Sequence, residues 1–94
     1  MKITIEELQE YLFDHYKNGG IDQSLFMKLV EEIGEVAEVL NKKAGRKSVG
    51  QEDLQTQLGN ELADVVHYTI AIAALNGIDM NDIILSKDKD ASIK

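Results

Sequence analysis

The amino-acid sequence predicts an all-α fold in which a helical hairpin forms part of a four-helix bundle. The 94 residues include no proline, apolar residues recur every three to four positions over long stretches, and glycine supplies most of the breaks. This pattern is typical of helices joined by short turns. A chain of this length forms one small domain, over 1–94, and buries only about 60 to 65% of its unfolded surface. We therefore expect oligomerisation to complete the bundle.

The first and last helices have clear start signals. Thr4 followed by Glu7 matches the capping-box pattern, and the helix that it opens keeps an apolar stripe up to the Asn-Gly-Gly turn at 18–20. Asp79 can cap a last helix, which leads into a charged tail.

The second helix is predicted to be amphipathic. Asp22 or Ser24 can cap it, and it ends near Gly45. Its apolar residues recur with the helical period and are Phe26, Leu29, Val30, Ile33, Val36, Ala37 and Leu40.

The third helix is predicted to be the longest. Ser48 with Gln51 matches another capping box, and from about residue 51 the helical pattern continues past Gly59 until Gly77 ends it. Its second half is apolar almost all round, as expected of a buried helix.

Acidic residues cluster on the second and third helices. The second helix has four glutamates within eight residues, which are Glu31, Glu32, Glu35 and Glu38. Carboxylates three or four residues apart on a helix repel each other, at a cost of roughly 0.2 to 0.5 kcal/mol per pair. Glu61 and Asp64 stand one turn apart where the apolar half of the third helix begins. Such a concentration of negative charge requires either full exposure to water or a bound cation.

The register of the hairpin is expected to bring these acids together. Residues at the same height in an antiparallel hairpin have position numbers with a constant sum, so a turn centred near residue 48 pairs Glu35 with Glu61 and Glu32 with Asp64. Facing helices lie about 8 to 10 Å apart, so carboxylates from both helices can bind one ion. Oxygen ligands favour Mg²⁺, or alternatively Mn²⁺, over zinc. A metal ion would convert the repulsion into coordination.

With these motifs the chain resembles the MazG-like nucleotide pyrophosphohydrolases of the all-α NTP pyrophosphatase superfamily. Their signature is EExxE followed by ExxD, which stands here at 31–35 and 61–64. The resemblance implies a bundle of MazG type and a homodimer or homotetramer. It also implies that a metal-activated water attacks the α phosphorus of a nucleoside triphosphate and releases pyrophosphate. The implied Mg²⁺ ligands are Glu32, Glu35, Glu61 and Asp64.

Other residues are candidates for the remaining roles. The resemblance implies that Glu31 and Glu38 surround the metal or act as the general base. Lys28 and Lys87 could bind phosphates, although a solvated surface lysine is the plainer interpretation of each. Tyr68 could point its hydroxyl at the substrate or simply pack in the core.

Alternative functions remain open at this point. Phosphoribosyl-ATP pyrophosphohydrolases and dimeric dUTPases belong to the same superfamily. A carboxylate-bridged di-iron bundle would need two ExxH motifs, and only Asp64 with His67 approaches one. The acidic face could also be the solvated surface of a non-catalytic helical interaction module.

Composition argues against several partner classes. The net charge is −7 and no basic stripe is present, which argues against a nucleic-acid polymer as partner. The sequence contains no cysteine, so it has no disulfide framework. The longest apolar run, at 65–75, is too short to span a bilayer, and no leader opens the sequence. We therefore expect a cytoplasmic protein without a membrane partner.

Overall fold

The computed structural model describes residues 1–45 and 53–88, and these residues form four helices and no strand. In chain order the helices are α1 (Ile5–Tyr16), α2 (Asp22–Lys43), α3 (Leu54–Leu75) and α4 (Met80–Lys87). The prediction of an all-α fold is therefore confirmed. Within the described residues, no helix is both long enough and apolar enough to cross a membrane.

The predicted boundaries of α1 and α4 are confirmed by their caps. The Glu7 N–H donates to Thr4 Oγ1 at 3.0 Å, and the Thr4 N–H donates to Glu7 Oε1 at 2.9 Å, which completes the capping box. The Asp82 N–H donates to Asp79 Oδ1 at 3.2 Å at the start of α4. Gly77 ends α3 as expected, because its φ of 66° lies in the left-handed region that glycine adopts without strain.

The predicted cap of α2 is wrong. Ile21 occupies the N-cap position, and none of the described side chains caps the helix. Asp22 lies inside the first turn, and both oxygens of its carboxylate accept from Asn76 Nδ2 at 3.1 Å. This contact across the hairpin engages the side chain that was expected to cap the helix.

The start of α3 lies later than predicted. Asp53 is the N-cap, and its carboxylate accepts hydrogen bonds from the backbone and the hydroxyl of Thr56. These bonds stabilise the ionised form and lower the pKa of Asp53. The predicted capping box on Ser48 and Gln51 lies outside the described residues.

Helices α2 and α3 form an antiparallel hairpin, as predicted. At one end Lys43 Nζ donates to Gln55 Oε1 at 2.9 Å, and at the other end Asp22 accepts from Asn76. These two contacts hold the hairpin in a register that places residue 32 of α2 beside the turn of α3 at 61–64.

Helix α1 covers the apolar half of α3 and holds the turn before α4. Leu12 is fully buried, in a cluster with Leu25 of α2 and with Ile70 and Ala71 of α3. The side chain of Gln9 bonds two backbone groups at the α3–α4 turn: Nε2 donates to the Ile78 carbonyl at 2.6 Å, and Oε1 accepts from the Met80 N–H at 3.2 Å.

Gly20 has the tightest surroundings of the glycines that the structure describes. A Cβ at this position would lie 2.8 Å from Leu75 Cδ1, from Tyr16 Cβ and from the Tyr16 carbonyl oxygen. We expect Gly20→Ala to destabilise the protein by about 1 to 3 kcal/mol, because the backbone carbonyl cannot move aside as a side chain can. Thermal unfolding followed by circular dichroism should show a melting temperature several degrees lower, and an unchanged value would contradict this packing.

Gly59 is expected to respond in the opposite direction. It lies inside α3, and apart from the backbone of its own helix a Cβ there would meet no atom of the described residues within 4 Å. Because glycine in a helix interior costs up to about 1 kcal/mol relative to alanine, Gly59→Ala should raise the melting temperature. The same unfolding experiment serves both variants, and a lower melting temperature for Gly59→Ala would show that another group approaches this surface.

Candidate metal centre

Three carboxylates converge where α2 and α3 face each other. Glu32 lies on the face of α2 that also carries the buried residues Leu25 and Val39, so its side chain is directed towards α3. Glu61 and Asp64 lie one turn apart on α3. One oxygen from each of the three carboxylates can be chosen so that all three atoms lie within 4.8 Å of one another. Glu32 and Glu61 are half-buried, whereas Asp64 is exposed.

One oxygen of this group has no hydrogen-bond partner in the described part of the chain. Glu61 Oε2 is buried and accepts no hydrogen bond from the described residues. An ionised carboxylate can only accept hydrogen bonds, so the neighbouring carboxylates cannot satisfy it while they are ionised. Buried charge without a partner is costly, and either a cation or a proton would relieve it. The donors are all oxygens, which fits Mg²⁺ or Mn²⁺.

The raised pKa of Glu32 also indicates that this group favours a bound proton or cation. Its pKa is raised above the ordinary value of 4.5, first because the carboxylate is desolvated between the helices. When Glu32 is protonated it can donate a hydrogen bond to Glu61, which also raises this pKa, and so does the negative charge of Asp64. The group therefore holds a proton more tightly than a solvated glutamate does, and a bound cation would compete for the same position.

The other predicted glutamates lie away from this convergence. Glu35 is exposed and is not one of the three carboxylates that lie within 4.8 Å. Glu31 is exposed and pairs with Lys28, whose Nζ lies 3.6 Å from Glu31 Oε2. Glu38 is also exposed on α2. The structure thus brings Glu32, Glu61 and Asp64 together, and it leaves Glu31, Glu35 and Glu38 on the solvent side of α2.

The remaining candidate substrate residues occupy different environments. Lys87 lies in the last turn of α4 and is exposed. Tyr68 is half-buried against the core cluster, with its ring edge-on to His67 at a centroid distance of 4.8 Å. Neither residue belongs to the convergent group, so their roles in binding a substrate stay predictions.

Sequence reasoning missed a polar contact next to this group. The Tyr16 hydroxyl and His67 Nε2 form a hydrogen bond of 2.7 Å, which joins the end of α1 to α3 one turn after Asp64. Burial raises the pKa of Tyr16, and the nearby hydroxyls of Tyr68 and Tyr11 add to this effect. The position of a histidine within an apolar run could have predicted such a contact, because a polar side chain in apolar surroundings needs a hydrogen-bond partner. His67, the ligand that the di-iron alternative requires, is thus engaged with Tyr16.

Comparison with known proteins identifies the family. The family model described as "MazG nucleotide pyrophosphohydrolase domain" matches residues 22–89, which include α2, α3, α4 and all three convergent carboxylates. No curated protein and no solved structure matches the chain. The match spans well over half of the 94 residues and leaves α1 outside it. The chain therefore belongs to the MazG nucleotide pyrophosphohydrolase domain family.

Proposed function

We propose that this protein is a Mg²⁺-dependent enzyme that hydrolyses a nucleoside or deoxynucleoside triphosphate to the monophosphate and pyrophosphate. The observation that carries the proposal is a group of three carboxylates in which the buried Oε2 of Glu61 has no hydrogen-bond partner among the described residues. Membership of a nucleotide pyrophosphohydrolase family supports the reaction class. The base and sugar of the substrate are left to experiment.

Glu32, Glu61 and Asp64 would hold the metal ion. Glu35 belongs to the proposal as a fourth ligand, because it lies one turn after Glu32 in the EExxE motif. When bound, Mg²⁺ would neutralise phosphate oxygens and lower the pKa of the attacking water, and Mn²⁺ could serve in its place.

The chain's own side chains would bind the substrate and move the proton. Glu31 and Glu38 lie on the exposed face of α2 and are the proposed bases. Lys28 would bind a phosphate, and its ion pair with Glu31 keeps its ammonium group beside the acidic face. Lys87 and Tyr68 complete the proposed substrate contacts.

The proposed reaction is a direct displacement. A water oxygen forms a bond to the α phosphorus, the bond from this phosphorus to the bridging oxygen breaks, and pyrophosphate leaves with that oxygen. The water gives up one proton to the base. No side chain forms a covalent bond to phosphorus, so serine and threonine have no part in the reaction.

Pyrophosphate release tests the proposal. The protein should be incubated with a panel of nucleoside triphosphates, with dUTP and with phosphoribosyl-ATP, in the presence of Mg²⁺ and separately with chelator. We expect pyrophosphate only with Mg²⁺. No release from any nucleotide would favour a non-catalytic module, and release of single phosphate would refute the reaction class.

The position of attack can be measured separately. Hydrolysis in ¹⁸O-labelled water should place the label in the monophosphate, because the water oxygen ends on the α phosphorus. Label in pyrophosphate would show attack on the β phosphorus and would contradict the proposed displacement.

Assembly and location belong to the same proposal. We propose that residues 1–94 act as one domain, and that the protein is a homodimer or homotetramer. The support is that large apolar side chains of α2 are exposed in the single chain. A cytoplasmic location fits a substrate that is a free nucleotide.

A further inference from the structure

Asparagine followed by glycine occurs twice in the chain, at 18–19 and at 76–77. In such a pair the backbone nitrogen of the glycine can attack the side-chain amide carbon of the asparagine, because glycine has no Cβ to hinder the approach. The other three asparagines precede residues that carry side chains, and they lie inside helices. The two Asn-Gly pairs are therefore the positions at which this reaction is chemically easiest.

The fold holds the side chain of Asn76 in place. Its Nδ2 donates to both carboxylate oxygens of Asp22 at 3.1 Å and to the Ile72 carbonyl at 2.8 Å. An amide nitrogen carries two protons, and these acceptors engage both of them. The amide group must leave its acceptors before its carbon can turn towards the nitrogen of Gly77. Reaction at Asn76 thus requires a local opening at this end of the hairpin.

The side chain of Asn18 is not held in this way. Asn18 is exposed in the turn between α1 and α2, and its side chain forms no hydrogen bond to a described residue. The backbone does not distinguish the two sites. The Gly19 N–H donates to the Tyr16 carbonyl at 3.1 Å, and the Gly77 N–H donates to the Ala74 carbonyl at 3.2 Å. The difference between the two pairs therefore lies in the asparagine side chain.

We propose that Asn18 is a site of spontaneous deamidation, and that the contact between Asn76 and Asp22 protects the second Asn-Gly pair. The Gly19 nitrogen forms a bond to Cγ of Asn18, the bond from Cγ to Nδ2 breaks, and ammonia leaves with the proton that the Gly19 nitrogen gives up. Water then opens the cyclic imide. Attack of water on Cγ yields aspartate, and attack on the main-chain carbonyl carbon yields isoaspartate, in which the main chain runs through Cβ and Cγ.

Isoaspartate at position 18 would disturb the junction of α1 and α2. It adds one carbon atom to the main chain, which lengthens the chain by about 1.5 Å shortly before Gly20. Gly20 is closely surrounded, because an added Cβ there would lie 2.8 Å from Leu75 Cδ1 and from the Tyr16 carbonyl oxygen. The Gly20 N–H also donates to this carbonyl at 2.7 Å. Since the Tyr16 hydroxyl bonds His67, the modification would act on the contact that joins α1 to α3.

Peptide mapping by mass spectrometry tests the proposal. The full chain should be incubated at mildly alkaline pH, where the glycine nitrogen loses its proton more readily, and samples should be digested over time. Each deamidation replaces an NH₂ group with an OH group and, once the new acid is ionised, changes the net charge from −7 to −8. We expect the reaction at 18 to be at least about 10 times faster than at 76, because an opening that breaks a hydrogen bond to a carboxylate is disfavoured by roughly this factor.

Two variants are matched controls. Gly19→Ala should slow the reaction at 18, because the methyl group hinders the attacking nitrogen. It should fold normally, since its φ lies outside the left-handed region and the added Cβ would meet no described atom within 4 Å beyond its chain neighbours. Asp22→Ala removes an acceptor from Asn76, so it should accelerate the reaction at 76 and leave the rate at 18 unchanged.

The denatured chain provides the reference rate. In denaturant both pairs should react at similar rates, because both asparagines precede glycine and no contact holds either side chain. Equal rates in the folded protein, or a faster reaction at 76, would overturn the proposal. So would folded protein that stays unmodified at 18 while the denatured chain reacts. An unchanged rate at 76 in Asp22→Ala would refute the protective role of that contact.

The effect of isoaspartate is measured on the separated products. The isoaspartate form should melt at a lower temperature than the unmodified protein. Asn18→Asp adds the same charge without lengthening the main chain, so it should melt near the wild-type temperature. Equal melting of these two forms would contradict the proposed effect on α1. None of these measurements involves pyrophosphate release, so their outcome is independent of the proposed function.

Discussion

Replacing Glu61 with glutamine is expected to reduce pyrophosphate release by roughly 100-fold or more, since it removes one ligand charge and such charges supply several kcal/mol of metal and transition-state stabilisation. Glutamine has nearly the same shape as glutamate, so α3 should pack as before. The rate should be measured with saturating Mg²⁺ and with the best nucleotide from the panel. The control is Glu10→Gln on α1, which changes the same charge at an exposed site and should keep the wild-type rate.

The same variant should keep its stability without metal. Glu61 Oε2 is a buried acceptor that no donor reaches within residues 1–45 and 53–88, and in Glu61→Gln an amide N–H can take this position and donate to a neighbouring carboxylate. We therefore expect the metal-free variant to melt at or above the wild-type temperature while its turnover is lost. Undiminished turnover would show that the three convergent carboxylates are not needed for the reaction. A lower melting temperature would show that the lost rate reflects a damaged fold.

A second large effect is expected on stability as a function of pH. The pKa of Glu32 is raised in the folded protein above its ordinary value of 4.5. Its contribution to stability is therefore fully present below about pH 4.5 and is lost as the pH rises through the raised pKa, because the folded state binds this proton more tightly than the unfolded state does. Without metal, the protein should lose this contribution on going from mildly acidic to neutral pH.

Mg²⁺ should restore stability at neutral pH. A ligand that binds only the folded state stabilises it by mass action, by about 2.7 kcal/mol when its concentration is 100 times its dissociation constant. Calorimetry at several pH values, with Mg²⁺ and with chelator, should show a Mg²⁺-dependent rise in melting temperature that grows with pH. Asp64→Asn should reduce this rise, because it removes one of the three convergent charges.

Glu32→Gln isolates the contribution of this one group from those of the other carboxylates. The metal-free variant should show a weaker loss of stability from pH 4.5 to 7 than the wild-type protein does. Parallel pH profiles for the two proteins would contradict the perturbed environment of Glu32. Equal melting curves with chelator and with millimolar Mg²⁺ would indicate a solvated acidic face instead of a metal site.

Much of the hairpin could be predicted from sequence because its signals are local. Caps, glycine breaks and helical periodicity all act within a few residues, and the length of the loop fixes which residues are level. This is why Glu32 was expected beside Asp64. Residues at the same height on two helices need not face each other, however. Glu35 is turned about 60° from Glu32 round the axis of α2. The structure accordingly brings Glu61 to Glu32 and leaves Glu35 exposed.

Contacts between segments that are distant in sequence could not be predicted from these local signals. The hydrogen bond between Tyr16 and His67 depends on how α1 lies across α3, which is decided by packing around Leu12 and not by any local signal. Asp22 shows the converse, because a good local cap residue was engaged by Asn76 at the far end of the hairpin. Tertiary contacts of this kind override local preference without leaving a pattern in the sequence.

The side chain of Gln9 couples the opening of α1 to the opening of α4. It satisfies the Ile78 carbonyl and the Met80 N–H together, and α4 packs principally on α1. When α1 detaches, both backbone groups lose their partner in one step, so the two helices should open as a single cooperative unit. In native-state hydrogen exchange, the amides of α4 should therefore exchange at the free energy of α1, well before those in the buried centre of α3. The stability of the first helix, which lies outside the residues that match the family, therefore determines the free energy at which the last helix opens.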